Sequence, residues 1–139
     1  MSSRQLADAV WKDLAAFVLD HQDVWKHAVV ERSGLPFSRI RILKRLSRSP
    51  LTVKQLAAAA TVDAPAATVA VNDLEDRGLV ARRTDPTNRR CKVVSLTVAG
   101  SDMLGMIDDV RNPAPEVLAE LDDHDVATLR AILDKLSAR

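Results

Sequence analysis

Residues 51–100 read LTVKQLAAAATVDAPAATVAVNDLEDRGLVARRTDPTNRRCKVVSLTVAG, and the fold turns on this stretch. Thr52 and Gln55 have capping-box spacing: a hydroxyl at the cap and a glutamine three residues later satisfy two helix-start amides reciprocally. That spacing predicts a short helix with Leu56, Ala57 and Ala60 on a narrow apolar stripe. Asp63 predicts a second helix start, with Pro65 tolerated in the first turn, where its missing amide proton matters least. Ala67, Ala70, Val71 and Leu74 then share one face, and Gly78 is placed to end the helix. Two short helices separated by TVD and facing each other through small alanines make a helix-turn-helix arrangement. Beyond them, Leu79–Arg83 predicts a strand and residues 85–89 a turn. CKVVSLT predicts the returning strand, with Val93, Ser95 and Thr97 on one side and Val94 and Leu96 near the other.

Outward from this centre the pattern is helical. Leu6, Val10, Leu14, Phe17, Val18, Val24, Trp25 and Ala28 recur at three- and four-residue intervals, predicting one long N-terminal helix interrupted by Gly34 and Pro36. A second helix carries Ile40, Leu43 and Leu46 inward and basic residues outward, ending at Ser49 and Pro50. After the hairpin, Thr97 or Ser101 begins a helix bearing Met103, Leu104, Ile107 and Val110, although Gly100 and Gly105 lower its intrinsic stability. Asn112, Pro113 and Pro115 break that run. Asp122 and Asp125 form a cap-like pair before a stripe of Val126, Leu129, Ile132, Leu133 and Leu136. The expected class is mainly α with a small β-hairpin wing, a winged helix-turn-helix between N- and C-terminal helices.

At 139 residues, 47% hydrophobic and 28% charged, the chain suits one globular domain or two small ones sharing a core. No apolar run approaches the length of a membrane span, and the N-terminus lacks a signal peptide's basic-then-apolar order, so a soluble cytoplasmic protein with no membrane partner is expected. Cys91 stands alone, which excludes an internal disulfide and a cysteine-rich metal framework. Its place after two arginines raises a redox role, but an incidental strand residue is the favoured reading. His21, His27 and His124 lack compact ligand spacing, so no metal or cofactor is expected. No clustered carboxylates or histidines suit phosphoryl transfer, and no enzyme is expected.

The formal charge of +1 hides segregation. Arg32, Arg39, Arg41, Lys44, Arg45, Arg48 and Lys54 occupy residues 32–54 without an acid. Arg82, Arg83, Arg89, Arg90 and Lys92 stand against Asp85 alone in residues 82–92. Residues 101–125 hold eight acids against Arg111. Such separation gives one surface a positive field on a nearly neutral protein, as a polyanion binder needs.

With Ala67, Ala70, Val71 and Leu74 inward, the second short helix turns Ala66, Thr68, Val69, Asn72 and Asp73 outward. On a helix in a major groove, Thr68 offers a hydroxyl, Asn72 can pair with an adenine edge, and Ala66 or Val69 can meet a thymine methyl. A hairpin can set Arg89 and Arg90 at the minor groove, with Arg82, Arg83 and Lys92 flanking them near phosphates.

The same stretch, especially LEDRGLVARRTDPTNRRCKVVSLTVAG, closely resembles the MarR family of bacterial winged-helix transcription regulators, over about fifty residues. The resemblance implies a recognition helix over residues 64–77, a wing over 79–97, and a homodimer built by the N- and C-terminal helices of both subunits. It implies three segments: residues 1–33 and 101–139 for dimerisation and 34–100 for DNA binding. Lys54, Ala66, Thr68, Val69, Asn72, Arg83, Arg89 and Arg90 are the candidate DNA-binding residues. Leu6, Val10, Leu14, Val126, Leu129, Leu133 and Leu136 are the candidate dimerisation residues. Arg90 falls on the arginine of the family's Asp-x-Arg wing motif, while Asn88 replaces its aspartate and can hydrogen-bond Arg90 only without charge assistance. Val69 stands where many relatives carry arginine or another polar residue. The resemblance further implies a small aromatic or phenolic effector, with Trp11, His21, Trp25, His27, Phe37 or Arg41 nearby. The expected partners are thus a second copy, a pseudo-palindromic duplex DNA operator and that effector, and the expected role is repression of its own or neighbouring genes. A winged-helix protein-interaction module without DNA specificity is the alternative.

Overall fold

Thr52 accepts the Gln55 amide at 3.1 Å, and the Gln55 side chain accepts the Thr52 amide at 2.8 Å, in a computed structural model that describes residues 1–138. This reciprocal cap opens the fourth helix of the chain. In order, the elements are α1 (Ser3–His21), α2 (Asp23–Ser33), α3 (Phe37–Leu46), β1 (Leu51–Thr52), α4 (Val53–Ala60), α5 (Ala64–Asp76), β2 (Val80–Thr84), β3 (Lys92–Leu96), α6 (Val98–Asp108), α7 (Glu116–Ala119) and α8 (Asp123–Ser137). They fall into two compact units, Gln22–Arg111 and Met1–His21 with Asn112–Arg139.

In the central unit, Asp63 caps α5 by accepting the Ala66 amide at 2.7 Å, with Pro65 in the first turn. Ala67, Ala70, Val71 and Leu74 are buried, as their spacing predicts. The turn between α4 and α5 puts Thr61 in the left-handed region at φ 55°, a conformation that β-branched residues adopt only where surrounding contacts hold them. Gly78 adopts φ 76° after α5, and the Leu79 amide returns to the Leu74 carbonyl at 3.0 Å, which turns the chain directly into β2.

β2 and β3 pair antiparallel, Val80 opposite Leu96 and Thr84 opposite Lys92. A third strand, β1, goes beyond the expected hairpin and adds Leu51 opposite Val94 and Thr52 opposite Val93 to give the order β1-β3-β2. Two residues are too short for an alternation to be read. The core beneath the sheet joins Val29 of α2, Ile40 and Leu43 of α3, Leu56 of α4, Val71 and Leu74 of α5, Val94 of β3 and Ile107 of α6. Each such aliphatic side chain contributes about 1.5–3 kcal/mol when withdrawn from water.

The single long N-terminal helix expected through Ala28 is corrected: α1 ends at His21, and Gln22, at φ −90° and ψ −10°, separates it from α2. His21 Nδ1 lies 2.7 Å from the Phe17 carbonyl, a contact within the last turn of α1. Apolar periodicity runs through the break because it records face and not continuity. The four-residue α7 was also not foreseen; it follows Pro115, which cannot occupy a helix interior.

Thr97 caps α6, accepting the Gly100 amide at 3.1 Å and donating to the Gly78 carbonyl at 2.6 Å. The glycine that weakens α6 in isolation is required here. A Cβ at Gly100 would lie 2.1 Å from the Leu79 carbonyl oxygen and 3.2 Å from Leu96 Cδ2. Backbone would have to move, so Gly100→Ala is expected to cost about 1–3 kcal/mol or more, as overpacked cores do. A thermal melt should show a midpoint lower by at least about 3 °C. An unchanged midpoint would mean that α6 shifts freely against β2.

Candidate nucleic-acid interface

Because α5 buries one stripe completely, its opposite face is defined: Ala66, Thr68, Val69 and Asn72 are all exposed. Thr68 donates its hydroxyl proton to the Ala64 carbonyl at 2.9 Å, leaving the oxygen's remaining lone-pair capacity outward. Val69 is 61% exposed, a large apolar side chain with no packing role in the unit. Lys54 is exposed in the first turn of α4.

Asp73 does not belong to that outward face. Its carboxylate accepts Arg39 Nε at 3.0 Å and Arg77 Nε at 3.1 Å, linking α3 to α5, and its side chain is 33% exposed. The hydrogen bond from Arg39, then that from Arg77, holds the Asp73 carboxyl below its ordinary range. A depressed carboxylate adds stability above the unfolded value and loses it as pH falls through the folded one. Asp73→Asn is therefore expected to be less stable than wild type at neutral pH and to lose less on acidification below pH about 4. Urea midpoints at the two pH values measure this, and equal acid sensitivity would contradict it.

The wing tip is braced locally. Asp85 accepts the Thr87 amide at 2.9 Å and the Thr87 hydroxyl at 2.8 Å, contacts that lower its pKa in that order. The Cys91 amide reaches the Asn88 carbonyl at 3.0 Å, and the Asp85 amide the Cys91 carbonyl at 3.0 Å. Asn88 Oδ1 accepts the Arg90 backbone amide at 3.1 Å and not its guanidinium. Asn88 thus shapes the turn, and the exposed Arg89 and Arg90 side chains form no ion pair among the described residues. Arg83 is exposed, and Lys92 Nζ donates to Thr84 Oγ1 at 3.2 Å.

Arg82, expected near phosphates beside the wing, is turned the other way. Its side chain is 25% exposed, its Nε lies 3.9 Å from Glu75 Oε2, and its Nη2 donates to Asn72 Oδ1. It therefore joins β2 to α5. Neither this contact nor Arg39–Asp73 has a local sequence signal, because the partners lie 10 and 34 positions apart. The i, i+4 spacing of Asp73 and Arg77 and the Asp-Pro-Thr order at the wing are the traces that could have been read.

A helix with an exposed outer face thus precedes a two-stranded wing whose tip arginines form no ion pair among the described residues, and the sequence profile of the MarR family matches residues 33–90. The chain belongs to the MarR family. The family's proteins are winged-helix transcription regulators and not enzymes. A putative transcriptional regulatory protein for the hcr operon of Thauera aromatica is 33% identical over 97 residues, covering 68% of this chain and 58% of that protein. The chain therefore spans somewhat over half the length of that curated relative. The transcriptional regulator BldR of Sulfolobus solfataricus is 26% identical with a TM-score of 0.69, covering 100% of both chains. A MepR mutant of S. aureus, solved bound to an oligodeoxyribonucleotide, has a TM-score of 0.63 at 18% identity, over 92% of this chain and 96% of that one.

In this MarR-family chain the residues considered for an effector lie in separate surroundings. Trp25 and Phe37 meet edge to face with centroids 5.8 Å apart. Lys44 Nζ stands 4.5 Å over Trp25, and Lys26 Nζ 4.6 Å over Phe37. Arg41 instead lines a cavity of about 190 Å³ with Arg39, Ile42, Val62, Ala66 and Ala70. It also joins Lys44, Arg45 and Arg48 along an open basic groove. Trp11 and His21 belong to the other unit, where both are exposed, and His27 lies 3.3 Å from Glu31.

That other unit buries no side chain fully in α1, α7 or α8 among the described residues. Leu6, Val10, Leu14, Val126, Leu133 and Leu136 are exposed, and Leu129 is half-buried. Among the described residues no helix is long and apolar enough to cross a membrane, and no cluster of metal-ligating side chains forms.

Proposed function

We propose that this MarR-family chain is a dimeric, sequence-specific DNA-binding regulator, working in the cytoplasm as a repressor of its own or neighbouring genes. The observation that carries this reading is the pairing of the exposed Ala66, Thr68, Val69 and Asn72 face with Arg89 and Arg90 at the wing tip, which form no ion pair among the described residues. The helix face supplies side chains sized for base edges, while the arginines suit the negative potential of a narrow minor groove. Lys54 and Arg83 add phosphate contacts, which position the protein without reading sequence. The oligodeoxyribonucleotide on the S. aureus MepR mutant supports the same use of the fold.

Residues 34–100 would bind DNA, and residues 1–33 and 101–139 would pair two copies. Long amphipathic helices need a partner face to be stable, and α1 and α8 bury nothing fully within one chain. A second copy supplies that face and sets two recognition helices on an imperfect palindrome, with half-sites about 34–36 Å apart. A small aromatic or phenolic ligand would release DNA by favouring a helix spacing that the duplex does not accept.

Footprinting of the intact protein on the DNA around its own gene tests the reading. Protection of an imperfect palindrome, with affinity falling steeply as salt rises, is expected. Equal affinity for that DNA and for random duplex would favour the protein-interaction alternative.

A further inference from the structure

We infer that Arg82 determines base specificity without touching DNA, by committing Asn72 to read acceptor groups. The inference rests on the DNA-binding reading above and sharpens it. A guanidinium has only hydrogens to offer, so the Asn72 atom bonded to Arg82 Nη2 must be the carbonyl oxygen Oδ1. The amide group Nδ2 is then the free end, on an exposed residue, and makes no hydrogen bond within the chain among the described residues.

An asparagine pairs with adenine by accepting from N6 while donating to N7. Here the lone pair left on Oδ1 lies beside a cationic donor, where an adenine amino hydrogen meets like polarity. The two Nδ2 hydrogens remain free to approach O6 and N7 of guanine or O4 of thymine. Arg82 is itself held: its side chain is 25% exposed, and Glu75 Oε2 lies 3.9 Å from its Nε. That Nε is buried and makes no hydrogen bond; the guanidinium is placed by its contact with Asn72 and by the nearby Glu75 carboxylate. Arg82 is a positioning residue, reaching from β2 to orient the side chain that α5 offers.

The test is selection from duplex pools randomised over about 30 base pairs, enough for two half-sites, with wild type, Asn72→Ala, Asn72→Asp and Arg82→Met. The motif position whose preference Asn72→Ala erases is the one Asn72 reads. Wild type is expected to take guanine or thymine there and to disfavour adenine about tenfold. Arg82→Met frees Oδ1 and should bring adenine up to at least parity. Asn72→Asp leaves no donor, so the guanine or thymine preference should vanish; this exposed substitution decides the matter even if Arg82→Met does not fold. Adenine at that position in wild type, an unchanged preference in Arg82→Met, retention of the preference in Asn72→Asp, or no position erased by Asn72→Ala would each overturn the inference while leaving DNA binding intact. Failure of wild type to enrich any duplex would overturn the DNA-binding reading itself.

Discussion

Leu133→Asp is expected to convert the proposed dimer into monomers and to lower affinity for a palindromic site by at least about a hundredfold. Leu133 is 45% exposed on α8, a helix that buries no side chain fully in the single chain. In a two-fold interface each substitution acts twice, because the same patch is used by both subunits. Losing two leucines from an apolar seam costs about 1.5–3 kcal/mol each, and burying unpaired carboxylates adds several more. The central core, which does not include Leu133, should keep its helical signal. Sedimentation equilibrium gives the oligomeric state, and titration of the footprinted palindrome gives the affinity. A variant that remains dimeric at micromolar concentration would place the interface elsewhere, whereas a monomer binding with unchanged affinity would show that pairing is not needed.

Arg90→Ala should weaken operator binding about 10- to 100-fold while leaving dimerisation and melting unchanged. The guanidinium is free, since Asn88 Oδ1 is occupied by the Arg90 backbone amide and the turn is braced by Asp85 and Thr87. Removing the side chain therefore subtracts charge from the wing without loosening its backbone. Two wings act per dimer, so the slope of log affinity against log salt should also fall by about two. Arg90→Lys should recover part of the affinity, because a strongly hydrated ammonium enters a narrow groove less readily than a planar guanidinium. Unchanged affinity and slope in Arg90→Ala would remove the wing from the DNA-contacting surface. The contrast with Asn72 is diagnostic: its replacement should move base preference and leave the salt slope alone.

The sequence by itself determined what short-range chemistry controls. Thr52 with Gln55, Asp63 with Pro65, and Gly78 mark helix ends through contacts a few residues long, and the Ala67, Ala70, Val71 and Leu74 stripe follows from helical period. The hairpin, and with it the mainly α winged helix-turn-helix class, was legible for the same reason. Tertiary structure alone decided which polar side chains are spent inside the unit and which are free for a partner. Arg39 and Arg82 read as surface charge along the chain, yet one meets Asp73 across two helices and the other meets Asn72 and Glu75 across a strand and a helix. Such pairings depend on where the hydrophobic core sets each element, which no local spacing records. Hence charge composition pointed to a basic surface, and only the packed chain distinguished Arg89 and Arg90, which form no ion pair among the described residues, from Arg39 and Arg82, which tie α5 to α3 and β2.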